Sequence, residues 1–143
     1  MIYLDTSALV KKYVIEDGTD RIRALLKNEK RVITSKLTYA EMCASFARKH
    51  REGGIEMQHY QKAWGSFIND WGTLILVEVR EELFPLIRRL TEVYPLRGAD
   101  AVHLASALLV GESTGETLTF VASDNNLLNT AKRENLKTVN PES

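Results

Sequence analysis

The sequence predicts an α/β fold, a single domain over residues 1–143 with a central, mainly parallel sheet, and two observations carry that prediction. Short apolar runs alternate along the chain with longer helical stretches, the pattern of strands joined by crossover helices. A chain of 143 residues is also long enough to bury roughly two-thirds of its unfolded surface in one core. No internal repeat, low-complexity segment or break in composition divides it.

The elements follow in order. IYLD opens the chain as a buried strand, and Asp5, Thr6 and Ser7 lead into a helix around ALVKKYV. RVITS is the second strand. Within residues 38–51, Tyr39, Met42, Cys43, Phe46 and Ala47 recur at i, i+3, i+4, i+7 and i+8, an amphipathic helical stripe. Gly53 and Gly54 break that helix, and so short a link favours a second one, MQHYQKAWGSFINDW, folded back beside the first. LILVEV is the third strand. A helix beginning near REELFPLIRRL must hold Pro85 within its first turn, where the missing N–H is tolerated. DAVHLASALLV is apolar nearly all round and is expected to be buried on most sides. The strand LTFVAS, the helix NNLLNTAKREN and the strand LKTV complete the set.

Bulk composition narrows the setting. Nineteen basic residues balance nineteen acidic ones, so a nucleic-acid partner must be held by a local patch and not by a positive field over the whole molecule. The lone Cys43 has no partner within the chain, and no charged leader with an apolar stretch is visible, so a reducing cytoplasm is the expected location. No apolar run approaches the ~20 residues needed to cross a bilayer.

Four acids stand where chemistry can gather. Asp5 ends the first strand, at the edge of a parallel sheet where ligand crevices form. Asp124 repeats that arrangement at the end of LTFVAS. Asp100 opens the apolar helix on a narrow polar edge shared with His103 and Ser106, and Glu41 lies nearly opposite the Tyr39, Met42 and Phe46 stripe. Each acid has a purely structural explanation. Asp5 and Asp124 can cap the helices that follow them, TYAE fits a capping box with Thr38 as the cap, and Asp100 gains about 0.3 to 1 kcal/mol from the helix dipole. That last gain is small beside the several kcal/mol that an unpaired, poorly solvated carboxylate can cost, so a positive group is expected near Asp100. His103 reads first as a satisfied helix histidine, because it lacks a spaced metal-binding partner. Caps explain the acids one at a time, but not their recurrence at two strand ends and two helix starts.

If the four meet at one sheet edge, each pair ~4 Å apart repels by about 4 kcal/mol at an effective dielectric of ~20, so the cluster must take up protons or draw in cations. Oxygen-only ligands suit Mg²⁺ or Mn²⁺. Zinc fits poorly, since there is no paired-cysteine motif and His50, His59 and His103 form no HExxH arrangement. A divalent ion in such a pocket favours hydrolysis of a nucleic-acid backbone, with Thr6, Ser7, Ser123 and the amides of Asn125 or Asn126 orienting the acids.

YLDTSALVK, TYAE, LRGADAVHLASA and FVASDNNL, in this order over almost the whole chain, resemble a PIN domain, and most closely the VapC-like toxin ribonucleases of toxin–antitoxin systems. Asp5, Glu41, Asp100 and Asp124 match the family's acidic quartet, which makes them the expected catalytic residues, with Asp5, Asp100 and Asp124 as metal ligands. The resemblance implies a five-stranded sheet in the order 3-2-1-4-5 flanked by helices. It also implies Mg²⁺- or Mn²⁺-dependent endonucleolytic cleavage of RNA, neutralisation by a small VapB-like antitoxin, and a homodimer. The apolar-rich helical pair between residues 38 and 71 is a candidate groove for a partner helix, although core packing explains its aromatics individually. Lys11, Lys12, Arg48, Lys49, Arg51 and Arg97 are candidates to grip phosphates, each equally explained as part of a solvated helix face.

Two alternatives belong to other classes. A PIN-fold module that binds RNA or protein without chemistry would need the acids only as caps. A phosphotransfer enzyme with Asp5 as nucleophile fits worse, because residue 7 is Ser and the second acid of a DxD motif is missing.

Overall fold

The computed structural model describes all 143 residues. Five short strands, β1 (Ile2–Leu4), β2 (Val32–Ser35), β3 (Ile75–Val77), β4 (Thr119–Val121) and β5 (Lys137–Val139), form one sheet in the order β3-β2-β1-β4-β5. Every pairing is parallel, so each connection must cross a face of the sheet. The chain steps outward from β1 to β2 and β3, then returns to add β4 and β5 on the other side. The reversal makes the carboxyl ends of β1 and β4 the switch point where crevices open. Leu4 is in register with Val121 there, which sets the residues after both strands side by side.

Side-chain alternation along the strands divides the core in two. Ile2, Leu4 and Val121 pack against α1 (Thr6–Leu9), α2 (Thr19–Leu26), α3 (Leu37–Arg51) and α4 (Met57–Trp71). Tyr3 and Phe120, one position out of phase, pack on the opposite face against α5 (Phe84–Val93), α6 (Gly98–Thr114) and α7 (Asn125–Arg133). Tyr3, Phe46, Phe67 and Phe120 are fully enclosed, and each such side chain contributes about 1.5–3 kcal/mol of burial.

The pair α3 and α4 runs antiparallel. Tyr39 at the start of α3 meets Trp71 at the end of α4 with ring centroids 5.3 Å apart, and His50 meets Tyr60 at 5.0 Å at the other end. Met42 and Phe46 form the buried stripe with Thr38, while Tyr39 is 40% exposed at its edge. Pro85 lies in the first turn of α5, as its chemistry requires.

Three features depart from the sequence reading. The strands are shorter than their apolar runs, losing residues at the start in β2 and β5, at the end in β1 and at both ends in β3 and β4. The first helix is a single turn continued by a 3₁₀ turn, Val10–Lys12. The helix α2 was not anticipated, since only Ile22 among its apolar residues is fully buried, too weak a stripe to read. No helix is long and apolar enough to cross a membrane.

Candidate active site

Asp5, Glu41, Asp100 and Asp124 all line one cleft of about 530 Å³ at the switch point, and only two of its 17 lining residues are hydrophobic. So polar a cleft is unlike the apolar pockets that hold small molecules. It is suited to charged oxygens.

Asp5 follows β1 and caps α1, its Oδ1 accepting from the Ala8 N–H at 3.0 Å and from the Ser7 hydroxyl at 2.7 Å. The residue is only 5% exposed. Burial pushes its carboxyl up to about 6, against the His103 imidazole and the Ser7 and Ala8 bonds, and Asp100 adds to the rise. Ser7 also accepts from the Ser123 N–H at 3.1 Å, tying the end of β4 to the first turn of α1. Asp124 caps α7 in the same manner, with Oδ1 accepting from the N–H groups of Asn126 at 2.8 Å and Leu127 at 3.2 Å. Both caps use Oδ1 alone, and neither Oδ2 has a hydrogen-bond partner. The only fully enclosed side-chain polar atom without a partner is Ser123 Oγ, so Asp5 Oδ2 reaches open space despite the burial of its residue.

Glu41 is not part of a capping box. The helix α3 starts at Leu37 with Lys36 as an N-cap that makes no side-chain bond, and the Thr38 hydroxyl is engaged with that of Thr34 at 2.7 Å. The Glu41 Oε1 instead accepts from the Thr6 hydroxyl at 2.8 Å and pairs with His103 Nε2 at 2.6 Å. Desolvation pushes this carboxyl up, but the bond and charge of His103 and the Thr6 bond outweigh it and hold Glu41 below the usual range. His103 is 1% exposed, and its Nδ1 meets the Tyr3 hydroxyl at 2.9 Å. Burial raises the Tyr3 phenol well above its ordinary range, so it is neutral. The sequence reading of His103 as a satisfied histidine holds, while its link to Glu41 was not foreseen.

Asp100 sits in the first turn of α6. Desolvation raises its carboxyl, Arg97 opposes that, and Asp124 and Glu41 push it further up. The expected positive group is Arg97, whose Nε lies 3.7 Å from Oδ2 but whose side chain is 87% exposed. A contact so open to water is weak, and Asp5 and Asp124 have no ion pair at all.

This donor set fits a hard divalent cation. Glu41 has His103 and Asp100 has the exposed Arg97, but Asp5 and Asp124 have no basic partner, and their two caps each leave an oxygen unused. No three His, Cys, Asp or Glu side chains are grouped closely enough to hold a metal by themselves. Mg²⁺ asks for less, binding through one or two carboxylates and completing its shell with water and substrate phosphate. Of the supporting residues named from sequence, Thr6 and Ser7 do bond the acids, whereas Asn126 serves Asp124 through its backbone and Asn125 accepts from Asn140 at 2.9 Å.

Among the basic candidates, Lys11, Arg48, Lys49 and Arg97 line the cleft, and Lys12 and Arg51 do not. Lys11, 5% exposed, is bound to Glu16 at 3.1 Å and Glu142 at 3.6 Å, and Lys49 to Glu16 at 2.9 Å. Lys12 pairs with Asp70 at 2.7 Å. Arg48 and Arg97 are therefore the cleft cations most open to a ligand.

Comparison with known proteins agrees with this geometry. The PIN domain family matches residues 2–133. Ribonuclease VapC45 of Mycobacterium tuberculosis is 35% identical over 115 residues, 78% of each chain. Ribonuclease VapC35 of the same species is 33% identical and covers 99% of this chain and 97% of its own. In the crystal structure of VapBC2 from Rickettsia felis bound to a promoter DNA fragment, the matching chain is 17% identical, with a TM-score of 0.65 over 98% of both chains, a likeness of fold. With its sheet order and its matched residues, this chain belongs to the PIN-domain family, in the VapC branch.

Proposed function

We propose that this protein is an Mg²⁺- or Mn²⁺-dependent endoribonuclease, one PIN domain over residues 1–143, that hydrolyses RNA phosphodiester bonds as the toxin of a toxin–antitoxin pair in the cytoplasm. The observation that carries the reading is the convergence of Asp5, Glu41, Asp100 and Asp124 on one polar cleft in a chain whose relatives are named ribonucleases.

Asp5, Asp100 and Asp124 would hold the ion between them, one or two directly and the rest through its water shell. When bound, it neutralises charge on the phosphodiester oxygens and acidifies water for in-line attack on phosphorus, with a ribose oxygen leaving. The caps on Asp5 and Asp124 fix both carboxylates before substrate arrives, so no reorganisation is needed at the moment of reaction. Glu41, kept ionised by His103 and Thr6, accepts a hydrogen bond from the attacking water at its free Oε2. Its depressed pKa suits orienting that water better than storing its proton. Arg48 and Arg97 take RNA phosphates on either side of the scissile one.

The Rickettsia felis neighbour is a VapBC assembly, which supports a VapB-like antitoxin as partner here. The aromatic pair α3 and α4, with Tyr39 and Ile68 partly exposed, is the surface we assign to it, and a homodimer is the expected state of the toxin.

The test is RNA cleavage by the purified protein with Mn²⁺, Mg²⁺ or chelator, beside Asp100→Asn. Loss of an oriented acid of this kind lowers kcat by about 100-fold or more. Cleavage that survives both chelation and D100N refutes the metal reading. RNA binding without turnover under every divalent ion would instead establish the catalytically silent module.

A further inference from the structure

Glu41 is a flexible side chain that reaches the cleft from a helix whose opposite face, Thr38, Met42 and Phe46, is buried in the core. Left alone, such a side chain is distributed among rotamers, some in the cleft and some in bulk water. Two donors, from α1 and α6, meet at a single oxygen, Oε1, and leave Oε2 without a partner. The shorter contact is that of His103, at 2.6 Å. His103 is itself held from behind. Its Nδ1 meets the hydroxyl of Tyr3 at 2.9 Å, its ring stands edge-on to the Tyr3 ring with centroids 5.9 Å apart, and Tyr3 stacks on Phe120 at 5.4 Å. Tyr3 and Phe120 belong to the two central strands that bracket the switch point. An unbroken line of contacts thus runs from the sheet through Tyr3 and His103 to Glu41.

From this line of contacts we infer that His103 is a positioning residue: backed by Tyr3, it fixes the Glu41 carboxylate so that Oε2 faces the cleft and orients the water that attacks RNA. The inference rests on the hydrolytic reading above. A plain core histidine would need partners for its two nitrogens and nothing more. Here one of those partners is a member of the acidic set, and the other is anchored in the sheet.

Two variants separate positioning from mere support. His103→Leu removes both ring contacts. His103→Gln leaves the Tyr3 hydroxyl without its ring partner in the same way, but returns an N–H donor near the place of Nε2. Both are expected to lose similar thermal stability. H103L should lower kcat by about 10–100-fold, the usual effect of removing such an outer partner, with KM for RNA changed less than about threefold. H103Q should recover most of that loss. If the two variants lose activity equally and in step with stability, or if H103L keeps full kcat, the positioning role is overturned.

A metal-free measurement decides the contact independently. In protein with ¹⁵N-labelled histidine, the His103 Nε2–H signal should be protected from exchange and should move in Glu41→Gln. A signal indifferent to E41Q overturns the inference. Should the wild-type protein cleave no RNA with Mn²⁺, the hydrolytic reading falls, and with it the water-orienting half of this one, whereas the metal-free result still decides whether His103 fixes Glu41.

Discussion

Replacing Asp5 with Asn should make the metal-free protein more stable while abolishing its activity. The Asp5 carboxyl stands at about 6 in the folded protein against an ordinary 3.8, and that difference is worth about 3 kcal/mol. The sign follows from which form the fold disfavours. An acid whose pKa rises on folding leaves the fold most stable where it is protonated in both states, below about 3.8, and that stability is lost as pH climbs through about 6. Asparagine keeps an Oδ1 for the Ser7 and Ala8 donors, so the helix cap survives, and only the charge goes. In chelator at about pH 8, D5N should gain about 2–3 kcal/mol, or about 1–2 M in the urea midpoint. Near pH 4 the gain should fall to a few tenths of a kcal/mol. With Mn²⁺ at about 100 times its Kd the wild type alone gains about 2.7 kcal/mol, which erases the difference. A variant no more stable than wild type at the higher pH, or equally stabilised at both, would show that Asp5 carries no uncompensated charge.

Three further outcomes test neighbouring steps. Ser7→Ala removes the donor to Asp5 and the acceptor of the Ser123 N–H, and should cost about 1–3 kcal/mol by urea denaturation, with the Asp5 carboxyl titrating higher still by NMR. Phe67→Ala empties a fully enclosed site beneath α4 and should cost about 3–5 kcal/mol, measured the same way; a smaller loss would mean that the aromatic layer repacks. Arg97→Gln should weaken RNA binding at low salt and reduce the slope of log affinity against log salt by about 1, and an unchanged slope would remove Arg97 from the phosphate contacts.

The fold was legible because two periodicities rarely compete in this sequence. Alternation in IYLD and LTFVAS sends Tyr3 and Phe120 to one face and Leu4 and Val121 to the other, and Met42 and Phe46 mark the buried side of α3. The sheet order came from the family resemblance. The acids at strand ends were equally readable, since the chain announces each with an apolar run that stops on Asp. What escaped was the side-chain pairing between residues distant in sequence. Glu41 and His103 are 62 positions apart, and local spacing offered Glu41 a nearer and wrong partner in the Thr38 cap. Lys11 lay in a run that reads as solvated helix face, yet it is 5% exposed, because its stem lies against Gly18 and its ammonium is held by Glu16 and Glu142.

Cap and ligand looked like rival explanations for Asp5 and Asp124 only while each carboxylate was treated as one group. The structure divides the work by atom. In both residues Oδ1 takes the N–H groups of the helix that follows, and Oδ2 is left over. The cap is moreover what aims that second oxygen, since a side chain fixed at Oδ1 on the first turn has little rotamer freedom left. A βα junction ending in Asp therefore delivers an oriented anionic oxygen at the sheet edge as a consequence of ordinary helix capping. Two such junctions flank the switch point, with Asp100 contributed from α6 and Glu41 from α3. Gathering four carboxylates thus needs no unusual local structure, and on the function proposed above a cation would hold them once they have met.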